Sequence, residues 1–150
     1  MRPKHFITTF CLVLVVICFT ISVTHAGGIG QVKNMKGSAF LERNRNQVPL
    51  KVGDSLQQAD KIRTGLDGSV GIIFVDNSSF SVGPNTVFTV DQFAFDSTTH
   101  EGVFNTSLRQ GTLAVKSGKI VKQTPEAMKI NTRSSVLMVR GTRFVVSSGY

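Results

Sequence analysis

From Gly27 onward no stretch of the chain repeats its apolar residues at i, i+3, i+4 and i+7. Val, Ile, Phe and Thr instead crowd short runs cut by Gly, Asn, Asp and Ser, which predicts an all-β fold. Strands are expected near Ile29 to Lys33, Ser38 to Leu41, Lys61 to Thr64, Ser69 to Phe74, Phe80 to Val82 and Thr86 to Asp91. Further ones are expected near Val103 to Leu108, Thr112 to Lys116, Ala127 to Asn131, Val136 to Val139 and Arg143 to Val146. Such short, evenly spaced strands suit a sandwich or a coil of short twisted strands. Val70, Ile72 and Phe74 share one face by alternation, as do Phe88 with Val90 and Leu113 with Val115, and these residues are the expected core.

Two runs carry most of the remaining information. Asp60-Lys61-Ile62-Arg63-Thr64-Gly65-Leu66-Asp67-Gly68 ends in a turn dipeptide and feeds the β-rich run Ser69 to Val75. Val139-Arg140-Gly141-Thr142-Arg143-Phe144 repeats the idea with Arg-Gly-Thr as the turn. Neither supplies a nucleophile with its base, a metal-ligand cluster or a phosphate loop. Gly65, Gly68 and Gly141 are expected to be backbone devices. Arg140 is read as a structural fork whose guanidinium satisfies loop carbonyls or pairs with an acid such as Asp60, so that Arg140→Ala would unfold the domain. The competing reading makes it an exposed contact.

The first residues place the chain in a compartment. Arg2, Lys4 and His5 precede an apolar run from Phe6 to Val23 that ends at Thr24-His25-Ala26, the layout of a secretory signal peptide. Residues 1–26 are therefore expected to be a signal helix that is removed, leaving residues 27–150 as one domain, a size that buries roughly two-thirds of its unfolded surface. An uncleaved anchor is the rival reading, and membrane contact would then run only through that segment. With five residues ahead of the apolar run, neither reading leaves room for a cytoplasmic domain. Cys11 and Cys18 both fall in the segment, so the exported domain would hold together by its apolar core without disulfides.

Removing Arg2 and Lys4 takes seventeen basic residues to fifteen against nine acidic ones, a net charge of +6. A solvated basic surface is the plainest reading, and an anionic partner such as lipopolysaccharide, an acidic polysaccharide or an acidic protein face is the alternative. Nucleic acid is not expected, because the basic residues are scattered rather than interleaved with aromatics. No metal or cofactor is expected. Asp76-Asn77-Ser78 lacks the spacing of a calcium loop and reads as a turn, as do Asp67-Gly68 and Gly83-Pro84-Asn85. His100, with Ser97 and Glu101 nearby, is the weak centre for a hydrolase alternative, and the default for it is a solvated loop.

Taken in order, Gly30-x-Val32, Gly37-Ser38-Ala39, Leu50-x-Val52-Gly53-Asp54, Asp60-x-Ile62-x-Thr64-Gly65-x-Asp67-Gly68, Phe74-x-Asp76, Val82-Gly83-Pro84-Asn85, Leu108-Arg109-x-Gly111 and Val139-Arg140-Gly141-Thr142-x-Phe144 resemble the FecR domain. The resemblance spans essentially the whole exported region. It departs at Thr132-Arg133, where members usually carry Thr-Pro ahead of the last strand. The resemblance implies a β-solenoid-like stack of twisted sheets and, by likeness to the periplasmic part of regulators of iron-uptake signalling, a binding role. Asp60, Thr64, Gly65, Asp67, Gly68, Arg140, Gly141, Thr142 and Phe144 are its motif positions, expected to be structural. The combined expectation is a non-enzymatic module of the periplasm or exterior. Its expected partner is an envelope protein, with an anionic glycan or a structural role as the alternative, and exposed strand edges are the expected means of contact.

Overall fold

The computed structural model describes residues 27–149, so the expected signal helix over residues 1–26 lies outside the described residues. The all-β expectation holds. Twelve strands follow one another: β1 (Gly30–Lys36), β2 (Ala39–Arg43), β3 (Asn46–Pro49), β4 (Ser55–Leu56), β5 (Lys61–Thr64), β6 (Ser69–Phe74), β7 (Ser79–Val82), β8 (Val87–Phe95), β9 (Gly102–Lys116), β10 (Met128–Asn131), β11 (Val136–Met138) and β12 (Arg143–Ser148). One helical turn, α1 (Lys119–Gln123), separates β9 from β10.

The strands form one continuous sheet that curls into two leaves, and β9 belongs to both. Its first part lies between antiparallel β8 and parallel β10, continuing the leaf β3-β2-β5-β8-β9-β10-β11. Its last residues lie between β7 and β12, both antiparallel, continuing the leaf β4-β1-β6-β7-β9-β12. Gly111, at φ +92°, stands where the strand passes from one leaf to the other. Two separate strands were expected here, and they are one, because this glycine bends the backbone without ending its pairing. The parallel β9–β10 pair requires a crossover, and α1 lies on it.

The core lies between the leaves. Val70, Ile72, Phe74, Phe88, Val90, Leu113 and Val115 are all buried, as alternation predicts. Phe104 of β9 sits at its centre, with ring centroids 4.7 Å from Phe74, 5.0 Å from Phe80 and 4.8 Å from Phe93. These edge-on and offset contacts join residues of both leaves, so the aromatic cluster fastens one leaf to the other.

Three elements were not expected. β3 is exposed throughout and polar in sequence, and is held by its hairpin with β2. That hairpin turns through Asn44 at φ +52° and Arg45 at φ +66°, a conformation usually announced by glycine. β4 has two residues, and α1 is too short to show a helical period.

Candidate binding surface

The residues of the Asp60-to-Gly68 run build a frame. Asp60 is 1% exposed, and its carboxylate accepts from Arg43 Nε at 2.7 Å and Nη2 at 2.6 Å. It also accepts from the Gln57 backbone N–H at 2.7 Å, while Arg43 Nη2 donates to the Ser55 carbonyl at 3.0 Å. The pair therefore ties β2 to the loop between β4 and β5. It also holds the Arg43 guanidinium above its ordinary pKa, chiefly through its hydrogen bonds to Asp60. The acid expected to meet Arg140 thus pairs with Arg43, because the β2–β5 ladder brings Arg43 to it and Arg140 lies on the far leaf boundary after β11.

Thr64 closes a second tie. Its hydroxyl donates to the Gly83 carbonyl at 2.6 Å and accepts from the Thr86 N–H at 2.9 Å. Asp67 accepts from the Ser38 hydroxyl at 3.0 Å and from the Ser38 N–H at 3.3 Å, and these bonds, the hydroxyl's first, hold its carboxyl below the usual range. Gly65 and Gly68 leave room for this approach: a Cβ on the first would meet the Ser38 hydroxyl, and on the second the Ser38 carbonyl oxygen. Asp76 is fully buried, and its two carboxylate oxygens accept from the Ser78 N–H at 3.0 Å and the Ser78 hydroxyl at 2.7 Å. The Ser78 hydroxyl in turn accepts from the Gly118 N–H at 2.9 Å, so this turn anchors the start of α1.

The second run behaves differently. Phe144 packs partly buried against the core, but Arg140, Gly141 and Thr142 are exposed. The Ser117 hydroxyl donates to the Gly141 carbonyl at 2.8 Å, and the Ser117 N–H to the Thr142 carbonyl at 3.0 Å. Arg140 lines an open cleft of about 490 Å³ with Lys122, Glu126, Val121 and Pro125, so that both signs of charge border it. Arg140 belongs to none of the three ion pairs among the described residues, which are Arg43–Asp60, Lys61–Glu42 and Arg63–Glu42.

Immediately before Arg140 lies an unusual edge. Val136, Leu137 and Met138 of β11 are 63%, 38% and 62% exposed, and among the described residues β11 pairs with β10 alone. Of the four apolar residues from Val136 to Val139, only Val139 is buried. The run itself was legible as a strand; its position at the end of a leaf was not.

His100, the centre of the hydrolase alternative, lies between β8 and β9. It sits at φ +62° in the β8–β9 turn, where its ring stacks on Phe95 with centroids 6.1 Å apart. Asp96 accepts from the backbone N–H groups of Thr98 at 2.7 Å and Thr99 at 3.2 Å, which lower its pKa, and it serves the turn. Of the cleft-lining residues, Arg109 lies in the fragment Leu108-Arg109-x-Gly111 and Arg133 in the departure Thr132-Arg133, whereas Ser117 and Lys122 belong to no motif.

A comparison with curated proteins finds no match. A solved structure titled "Cell surface anchoring domain" is 31% identical over 40% of this chain and 80% of its own length, with a TM-score of 0.39. The model of the family described as FecR protein matches residues 60–149, from the buried Asp60 to the end of β12. The motif fragments from Gly30 to Asp54 precede that stretch, although β1 is hydrogen-bonded to β6 within it. With more than half of its 150 residues matched, the chain belongs to the FecR protein family.

Proposed function

We propose that this chain is a non-enzymatic binding module of the cell envelope, exported by its first 26 residues, that receives an extended segment of an envelope protein along β11. One observation carries the reading: β11 is an exposed apolar strand that, among the described residues, is paired on one side only, by β10. Edges of this kind are templates for a further strand, and natural proteins blunt them with charge, proline or a bulge. β3, the opposite end of the same leaf, ends in Pro49, and β12 begins with Arg143. β11 carries no such device within its three residues. A strand added there gains ladder hydrogen bonds from its backbone and apolar contact from alternate side chains. Family membership supports an envelope signalling or assembly role for such a contact.

Photo-crosslinking in intact cells tests this, with the probe placed at Leu137 and, as control, at Val48 on β3. The expected result is a discrete outer- or inner-membrane protein captured from Leu137 alone and lost in Leu137→Lys, whose melting temperature stays unchanged. Equal capture from both positions, or capture that survives Leu137→Lys, would overturn it.

A further inference from the structure

We propose that a second cleft, on the outer face of the leaf that ends in β11, binds an acidic sugar through Arg109 and Arg133. The cleft holds about 330 Å³ and is lined by Ser107, Arg109, Asn131, Thr132 and Arg133. That volume is at the lower end of small-molecule sites, enough for a single sugar residue of a longer chain.

Strand geometry assembles it. Along β9 the residues Phe104, Thr106 and Leu108 point to the core, so Ser107 and Arg109 share the outer face. The parallel β9–β10 register sets Asn131 beside Ser107. Arg133 follows in a turn fixed by three hydrogen bonds: Thr132 N–H to the Ser135 carbonyl at 2.8 Å, Thr132 hydroxyl to the same carbonyl at 3.1 Å, and Ser135 N–H to the Thr132 hydroxyl at 3.1 Å. Both arginines thus stand on braced backbone, and neither takes part in an ion pair among the described residues. Two unpaired guanidinium groups lining one cleft suit a carboxylate, sulfate or phosphate.

The other groups call for hydroxyls. An acid also borders Ser107: Asp91 is the extra residue of a bulge in β8, between Val90 paired with Thr106 and Gln92 paired with Asn105. It accepts the Ser107 hydroxyl proton at 2.6 Å. Ser107 therefore offers the cleft its oxygen lone pairs, which a ligand hydroxyl would fill. The Asn131 amide makes no hydrogen bond to the described residues and adds a donor and an acceptor. An oxyanion combined with hydroxyl donors describes an acidic saccharide better than an acidic peptide or a bare ion. The cleft adjoins β11, since Asn131 pairs with Val136, but none of its lining residues belongs to β11.

Calorimetric titration of residues 27–150 with a galacturonate trimer, glucose 6-phosphate, inorganic phosphate, a neutral glucose trimer and a glutamate oligomer tests it. Arg109→Gln, Arg133→Gln and, as a control of equal charge change, Lys36→Gln on the outer surface of β1 are carried in parallel. Saturable binding of the galacturonate trimer or the sugar phosphate is expected, distinguishing a carboxylate from a phosphate ligand. Either arginine substitution should weaken it by roughly tenfold or more while Lys36→Gln leaves it within about twofold. Absence of saturable binding to both acidic sugars would overturn the proposal. So would an equal loss in Lys36→Gln, phosphate binding as tightly as the sugars, or tighter binding of the glutamate oligomer.

Discussion

Asp60 and Arg140 illustrate how differently two residues of one motif set are used. Asp60 is buried and its charge is answered by Arg43 and the Gln57 N–H, whereas Arg140 is exposed and outside every ion pair among the described residues. A buried charge that loses its partner is costly, because neither water nor another ion replaces it. Arg43→Met should therefore destabilise the domain by about 3 kcal/mol. Asp60→Asn keeps an oxygen for Gln57 and should cost less, about 1 to 2 kcal/mol, since Arg43 is partly exposed and reaches solvent. Arg140→Met should change stability by less than about 0.5 kcal/mol, in contrast to the unfolding expected from sequence. Urea unfolding of the three variants decides the matter, and a cost at Arg140 comparable to that at Arg43 would contradict this assignment. The sequence made Asp60 stand out as structural, but its partner lies in a stretch with no motif. Arg43 reaches it only through the β2–β5 register, a long-range pairing that no local pattern records.

At the scale of elements, β9 organises the molecule, and Gly111 is its critical point. Period-two alternation made β6, β7 and the core faces of β8 and β9 legible, because one face of each is buried and the other is not. The elements that escaped are those without such a face: exposed β3, two-residue β4 and five-residue α1. β11 was legible as a strand, but its place at the end of a leaf was not. The glycine before Thr112 looked like a break between strands, yet it is a corner. A Cβ at Gly111 would meet Thr86 Cα at 2.6 Å and Cβ at 2.7 Å, in addition to the strain of φ +92°. Gly53 has nearly the same φ, +95°, with nothing within 4 Å of a built Cβ. The two sites therefore separate strain from collision. Gly53→Ala should cost about 1 kcal/mol, from backbone strain alone. Gly111→Ala should cost about 3 kcal/mol or more, because Thr86 is held by its bonds to Pro84 and Thr112 and does not yield freely. Thermal unfolding of both variants measures the difference, and equal costs would mean that the corner is not tightly packed.

The whole molecule is basic, and its acid response follows from how its few carboxylates are used. Glu42 is lowered chiefly by its hydrogen bond to Lys61, Asp67 by the Ser38 hydroxyl and Asp96 by the Thr98 N–H. Unfolded, these groups titrate near about 4. A folded-state pKa below the unfolded one means that the native protein binds fewer protons across that interval. The stabilisation is therefore complete above about pH 5 and is lost as pH falls below about 4 and on through the folded values. All three groups are on the surface, so each contributes a small share. Their protonation also raises a net charge that is already +6 for residues 27–150, adding repulsion that salt screens. The melting temperature should accordingly be flat from about pH 7 to 5 and fall below about pH 4, less steeply at about 0.5 M salt. Ser38→Ala removes the hydroxyl that most depresses Asp67, and should reduce the acid-dependent part of the fall while also lowering stability at neutral pH. A decline already under way between pH 7 and 5, or an acid slope unaltered by both Ser38→Ala and salt, would show that these surface carboxylates do not set the acid limit of the fold.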